Sequence, residues 1–152
     1  MTSAPTFVRA SNPLSRRLLR LGLPAGPNVL LTVRGRSTGV PRTVPVAILE
    51  LDGRRWIIGA YGDVQWVRNL RAAGEAEIRV RGHDEPVIAR ELDDAEATDF
   101  YARVLPTYVS RLPWFGRVFA RILFAAAAPE VRSDPARAAV TRPVFELRSV
   151  IE

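Results

Sequence analysis

A chain of 152 residues with 47% apolar content is long enough for one well-filled core, and the absence of cysteine excludes disulfides, thiolate nucleophiles and the usual zinc or iron–sulfur sites. The basic residues are all arginine, which excludes lysine Schiff-base chemistry, and a single histidine, His83, argues against a Ser-His-Asp site, so difficult chemistry would fall to an organic cofactor. The net charge of +6 favours an acidic ligand, an anionic membrane surface or nucleic acid without choosing among them.

The first stretch, MTSAPTFVRASNP, has no apolar run of signal-peptide length, so a cytoplasmic protein is expected. Pro13 to Leu21 places Leu14, Leu18 and Leu21 at helical spacing with Arg16, Arg17 and Arg20 on the other side. That short basic amphipathic helix could cover a sheet edge or make peripheral contact with the inner face of the membrane. Val29–Val33 and Arg42–Glu50 are strand-like, and the Asp52-Gly53 turn leads into a third strand, Arg54–Ala60. Pro45 cannot donate to a ladder, which predicts an edge or bulge there. Asp63 is the expected N-cap of a helix running through Ala73 and stopped by Gly74.

Ala76–Arg81 and Pro86–Glu91 read as a second hairpin around a polar turn holding His83. Asp93 and Glu96 have capping-box spacing and open a helix expected to end near Leu105, before Pro106. Leu112–Ala128 is apolar apart from Arg117 and Arg121 and is too short to span a bilayer comfortably, so it predicts an amphipathic helix inserted in the fold. Pro129–Arg142 is polar and predicts a mobile loop, and Pro143–Arg148 supplies the last strand. The sum is one domain over residues 1–152, mostly antiparallel β with flanking helices.

The segment with the most chemical content is LLTVRGRSTGVPRTVPV, from Leu30 to Val46. Arg34, Arg36 and Arg42 are interleaved with Gly35, Ser37, Thr38 and Gly39, so guanidinium forks, hydroxyls and backbone N–H groups can converge on phosphate or carboxylate oxygens. The alternative is an ordinary hairpin turn in an arginine-rich chain.

This segment, followed by DGRRWIIGAYG and then QWVRNLRA, resembles the deazaflavin-dependent nitroreductase family over roughly residues 29–110 and the final strand. The resemblance implies a split β-barrel related to flavin-reductase barrels and the deazaflavin coenzyme F420, with FMN the less favoured flavin. It places Arg36, Ser37 and Thr38 at the coenzyme-contacting turn and Arg42, Thr43, Val44, Pro45 and Val46 beside the deazaflavin ring. Gly59, Ala60 and Tyr61 match the third-strand segment near the ring, while Trp66, Val67, Arg68 and Asn69 match the helix start that closes on the coenzyme. Tyr108 matches an aromatic position over ring and substrate, and with Tyr61 it is the candidate for orienting the acceptor or donating a proton. Ala47 stands where the best-known members carry a tyrosine, and Tyr61-Gly62 replaces a small hydroxylated residue followed by lysine.

The resemblance thus implies an oxidoreductase that passes a hydride from reduced F420 to a small apolar acceptor, a quinone, activated alkene or nitro compound. Barrels of this kind often pair, which makes a homodimer the expected assembly. Two other readings stand beside it: a non-catalytic binder of a lipid-like ligand on the same fold, and a basic barrel for single-stranded nucleic acid stacking on Trp56, Tyr61 and Trp66. The arginines are spread along the chain instead of forming one run, so nucleic acid is not the expected partner. No metal site is expected.

Overall fold

The computed structural model describes residues 28–127 and 130–150; the expected helix at 13–21 lies outside them. The strands are β1 (Asn28–Arg34), β2 (Pro41–Leu51), β3 (Arg54–Ile58), β4 (Glu75–Val80), β5 (His83–Glu91) and β6 (Val144–Ser149). They form a closed antiparallel barrel in the order β1-β2-β3-β6-β5-β4, with β1 returning to β4 through Leu31↔Ile78. The helices are α1 (Gln65–Ala73), α2 (Asp94–Asp99), α3 (Leu105–Ser110), α4 (Trp114–Ala127), α5 (Glu130–Ser133) and α6 (Pro135–Thr141).

Turn chemistry sets the two tight hairpins. Asp52 and Gly53 have φ of 52° and 78°, the mirror-image geometry whose twist matches that of the flanking strands. Arg81 and Gly82 repeat it at 51° and 81°, so the second turn is Arg81-Gly82. His83 is therefore not a turn residue, as the sequence suggested, but the first residue of β5, paired with Val80.

Alternation along the strands fills two cores. Leu31, Val33, Val46, Ile57, Ile78, Val87 and Phe145 point into the barrel, where Val67 and Leu70 of α1 join them. Leu49, Trp56 and Val144 point outward and are covered by Ala97, Phe100, Tyr101, Leu105 and Ala138. A buried carboxylate lies beside this outer core: Glu146, 4% exposed, accepts from Arg54 and has Arg90 and Arg148 within 3.9 and 3.6 Å. The Arg54 guanidinium also lies over the Trp56 ring, 4.9 Å from its centroid.

Three expectations about the helices need correction. Asp63 does not cap α1; Val64 holds that position without a side-chain bond, because the Asp63 carboxylate accepts from Arg68 and Arg71. Pro106 does not end the third helical stretch. Leu105 N–H reaches back five residues to the Phe100 carbonyl, a π turn over Phe100–Val104, which places Pro106 in the first turn of α3 where its missing N–H costs little. The stretch expected as a mobile loop holds α5 and α6. The Asp134 carboxylate accepts from Arg137 N–H at 3.1 Å, Pro135 opens the first turn, and Ala138 and Ala139 are buried.

Other expectations hold closely. The Asp93–Glu96 capping box is formed with both reciprocal bonds, at 2.8 and 3.1 Å. Gly74 ends α1 in the left-handed conformation at φ 69°. β3 stops at Ile58, two residues early, and Gly59 N–H donates instead to the Pro143 carbonyl at 2.7 Å. Among the described residues no helix is long and apolar enough to cross a membrane. α4 turns Trp114, Phe115, Val118 and Ile122 outward.

Candidate functional site

The connection from β1 to β2 is a hairpin of residues 35–40 closed by its own backbone. Gly35 N–H donates to the Val40 carbonyl at 3.0 Å, Gly39 N–H to the Gly35 carbonyl at 2.8 Å, and Val40 N–H to Thr38 Oγ1 at 3.2 Å. A Cβ at Gly35 would come within 2.9 Å of Thr38 Oγ1, so a larger residue there would displace the hydroxyl that accepts from Val40 N–H. The loop is thereby rigid while Arg36, Ser37 and Thr38 stay exposed at its tip.

Helix α1 holds that tip in place. Arg36 Nη1 donates to Gln65 Oε1 at 2.9 Å and to Asn69 Oδ1 at 2.8 Å, and the Arg36 backbone N–H donates to the same Asn69 oxygen at 3.1 Å. Gln65 and Asn69 are four apart and so lie on one face of α1. Both acceptors are neutral amides, so the guanidinium is oriented while its charge is left intact for an external anion. Asn69 itself is 5% exposed, which fixes its position.

The distribution of ion pairs sharpens this. Arg54, Arg55, Arg71, Arg90, Arg111 and Arg142 each reach a carboxylate within 3.0 Å. Arg34, Arg36 and Arg42 reach none among the described residues. Arg68 does not join them: its Nε donates to Asp63 at 3.1 Å, and the bonds from Arg71 and then Arg68 hold the Asp63 carboxyl below its ordinary range.

Beside the turn, β2 has a free edge. Its residues 41–46 pair with β1 only, because β3 pairs only with residues 47–51, so Pro45 lies on an edge as its chemistry requires. Val44 and Val46 point into the barrel, so only their backbone faces that edge. Thr43 points to the outer face, where its hydroxyl meets that of Thr32 at 2.8 Å. Val67 is fully buried, and Trp66 packs on Phe145 with ring centroids 6.4 Å apart. These two side chains hold α1 on the barrel.

Gly59, Ala60 and Tyr61 leave the sheet at the level of Val46 and are tied to the end of α6. The Arg142 guanidinium donates to the Ala60 carbonyl and to Glu130 Oε1, and the Tyr101 hydroxyl donates to the Arg142 carbonyl at 2.8 Å. Sequence reasoning missed this brace, since no local pattern links residues 60, 130 and 142. Burial pushes the Tyr61 phenol above its ordinary value, with Arg142 opposing, so Tyr61 is a protonated donor at neutral pH. Tyr108 is partly buried against the outer core, in the same cluster as Ile58, the β3 partner of Ala47.

The family model of F420H(2)-dependent quinone reductases matches residues 9–117. The chain belongs to that family. This F420H(2)-dependent quinone reductase family member is an F420-dependent reductase, and F420 is its coenzyme. A solved F420-H2 dependent reductase, FDR-A, is 22% identical, with a TM-score of 0.50 over 80% of this chain and 94% of that one. A conserved hypothetical protein of Mycobacterium tuberculosis, Rv2991, is 14% identical, with a TM-score of 0.49 over 90% of this chain and 79% of that one. HutZ, a heme storage protein from Vibrio cholerae, is 8% identical, with a TM-score of 0.48 over 92% and 90%. At 22% identity the first likeness speaks for the fold alone.

Proposed function

We propose that this reductase serves a small apolar quinone and holds its coenzyme at the β1–β2 turn and the free edge of β2. The observation that carries the placement is the trio Arg34, Arg36 and Arg42, without carboxylate partners among the described residues, one of them clamped by the amides of Gln65 and Asn69. A phosphate and an acidic tail match that donor set. Arg36 and Arg42, with the N–H groups of Ser37 and Thr38, would neutralise them; the backbone of Thr43–Val46 and the Gly59–Tyr61 segment would flank the ring. When bound, F420 supplies the hydride. The chain's own part is to bind, orient and exclude water, with the protonated Tyr61 available to bond an acceptor oxygen.

The acceptor class is supported by the outer face of β2. Ala47 pairs with Ile58 there and offers only a methyl group, which suits an apolar ring better than a charged or strongly hydrogen-bonding substrate. The family description, quinone reductase, agrees. The test is a titration of the protein with F420, with FMN in parallel, for wild type and the Arg36→Ala/Arg42→Ala double variant. Both arginines are exposed, so the variant should stay folded while affinity falls by about a hundredfold or more, the loss of two charge-assisted contacts. Retained affinity would refute the placement; turnover of a nitroaromatic but not of a naphthoquinone would refute the acceptor.

A further inference from the structure

A cleft of about 460 Å³ opens among the helical segments, and none of its described lining residues belongs to the β1–β2 turn, the β2 edge or the Gly59–Asn69 segment. Its size is that of a small-molecule site. Leu105, Pro106, Val109 and Val131 give it apolar walls, while Arg117 and Arg121 stand at its side on α4. Four residues apart on one helix, these guanidinium groups are neighbours. Neither has a side-chain partner among the described residues.

The other polar side chains of the lining are already satisfied. The Tyr101 hydroxyl donates to the Arg142 carbonyl at 2.8 Å, and the Ser110 hydroxyl donates to the Thr107 carbonyl at 2.7 Å. The unmet demand of the cleft is thus for apolar surface and for one anion that two arginines can share. From this combination we infer that the cleft is a second ligand site, which takes an apolar molecule ending in a carboxylate or phosphate. Two adjacent guanidinium groups favour a head group with several oxygens over a neutral hydroxyl, because charge-assisted bonds are shorter and stronger than neutral ones. The walls supply affinity through burial of a hydrocarbon body, which inorganic anions lack.

Calorimetric titration with decanoate, below its micelle-forming concentration, tests this beside decyl phosphate, decanol and inorganic phosphate. Decanoate or decyl phosphate should bind, the tighter of the two identifying the head group, with decanol and inorganic phosphate weaker by about tenfold or more. The Arg117→Gln/Arg121→Gln variant should lose about tenfold or more of that affinity, and Ala102→Trp, which fills an exposed position in the lining, should abolish it. F420 binding by both variants should match wild type. Equal binding of decanol, equal binding of inorganic phosphate, undiminished decanoate affinity in the arginine variant, or a parallel loss of F420 binding would each overturn the assignment.

Discussion

Changing Asn69 to aspartate keeps the shape of the Arg36 clamp and reverses its electrical consequence. The retained carboxylate oxygen can still accept from the Arg36 backbone N–H and from Nη1, which lie at 3.1 and 2.8 Å in the native protein. The attraction between the two charges, about 4 kcal/mol at 4 Å in a medium of effective dielectric near 20, is largely offset by desolvating a carboxylate at a nearly buried position. Stability should therefore stay within about 1 kcal/mol of wild type, because the gain and the cost are similar. Coenzyme affinity should not. Cancelling the Arg36 charge removes a charge-assisted interaction of about 1.5–3 kcal/mol, or about tenfold to 150-fold. Asn69→Ala, in contrast, strands the Arg36 N–H and frees its side chain, which should cost about 2–4 kcal/mol of stability from one neutral and one charged bond. Urea unfolding and F420 titration of Asn69→Asp, Asn69→Ala, Arg36→Ala and the Asn69→Asp/Arg36→Ala double variant separate these effects. If Asn69 acts through Arg36, the double variant binds F420 no worse than Arg36→Ala. Wild-type affinity in Asn69→Asp, or additive losses in the double variant, would refute the clamp.

Gly59→Ala should lower stability by about 1–3 kcal/mol, read as a lowered melting temperature. Its new Cβ would sit 3.1 Å from Val67 Cγ2 and 3.2 Å from the Pro143 oxygen, and that oxygen cannot retreat without losing the Gly59 N–H bond. Glu146→Ala should cost about 2–3 kcal/mol in urea unfolding, less than the usual loss on breaking a buried pair, because Arg54 is 61% exposed and can return to water. Acidification should reveal the carboxylate network. The Arg90 guanidinium, and then the Asp93 backbone N–H, hold Glu96 down to about 2 from an ordinary 4.5, and Arg55 lowers Glu85 likewise. The folded state thus binds these protons less readily than the unfolded chain, so both contributions are complete above pH 4.5 and fall away below it, that of Glu96 being lost as pH falls toward 2. Glu96→Gln should flatten that part of the stability profile.

Local signals made the strands and tight turns legible: alternation at Ala76–Val80, Asp-Gly at 52–53, the Asp93–Glu96 box and the glycine after Ala73 each act within a few residues. The errors came where a longer-range contact outweighed a local one. Asp63 had the composition of a cap, but two arginines one and two turns along α1 claimed its carboxylate. Pro106 had the composition of a stop, but the preceding π turn leaves it in the first turn of α3, where a proline is tolerated. Polar residues hid α5 and α6, although Asp134-Pro135 is a helix start and the alanines that follow are small enough to pack under Tyr101 and Phe100.

At the candidate site the same distinction decides which residues can face a ligand. The family resemblance put Val44 and Val46 beside the ring and Trp66 and Val67 at the helix start that closes on the coenzyme, yet strand alternation and helix packing send those side chains into the barrel, leaving their backbone and the outward Thr43, Pro45 and Ala47 at the surface. Charge shows the complementary effect. The surplus of 22 basic over 16 acidic residues is not spread evenly, because Glu146, Glu91, Glu85, Asp63 and Glu130 absorb arginines around the barrel and helices. Among the described residues Arg34, Arg36 and Arg42 are left at one mouth and Arg117 and Arg121 along the helical cleft, while Arg81 and Arg137 stand singly elsewhere. An unpaired arginine is only a solvated side chain when it stands alone. Three around a rigid turn, one of them aimed by neutral amides, form a site because orienting a cation without neutralising it leaves its charge for a ligand.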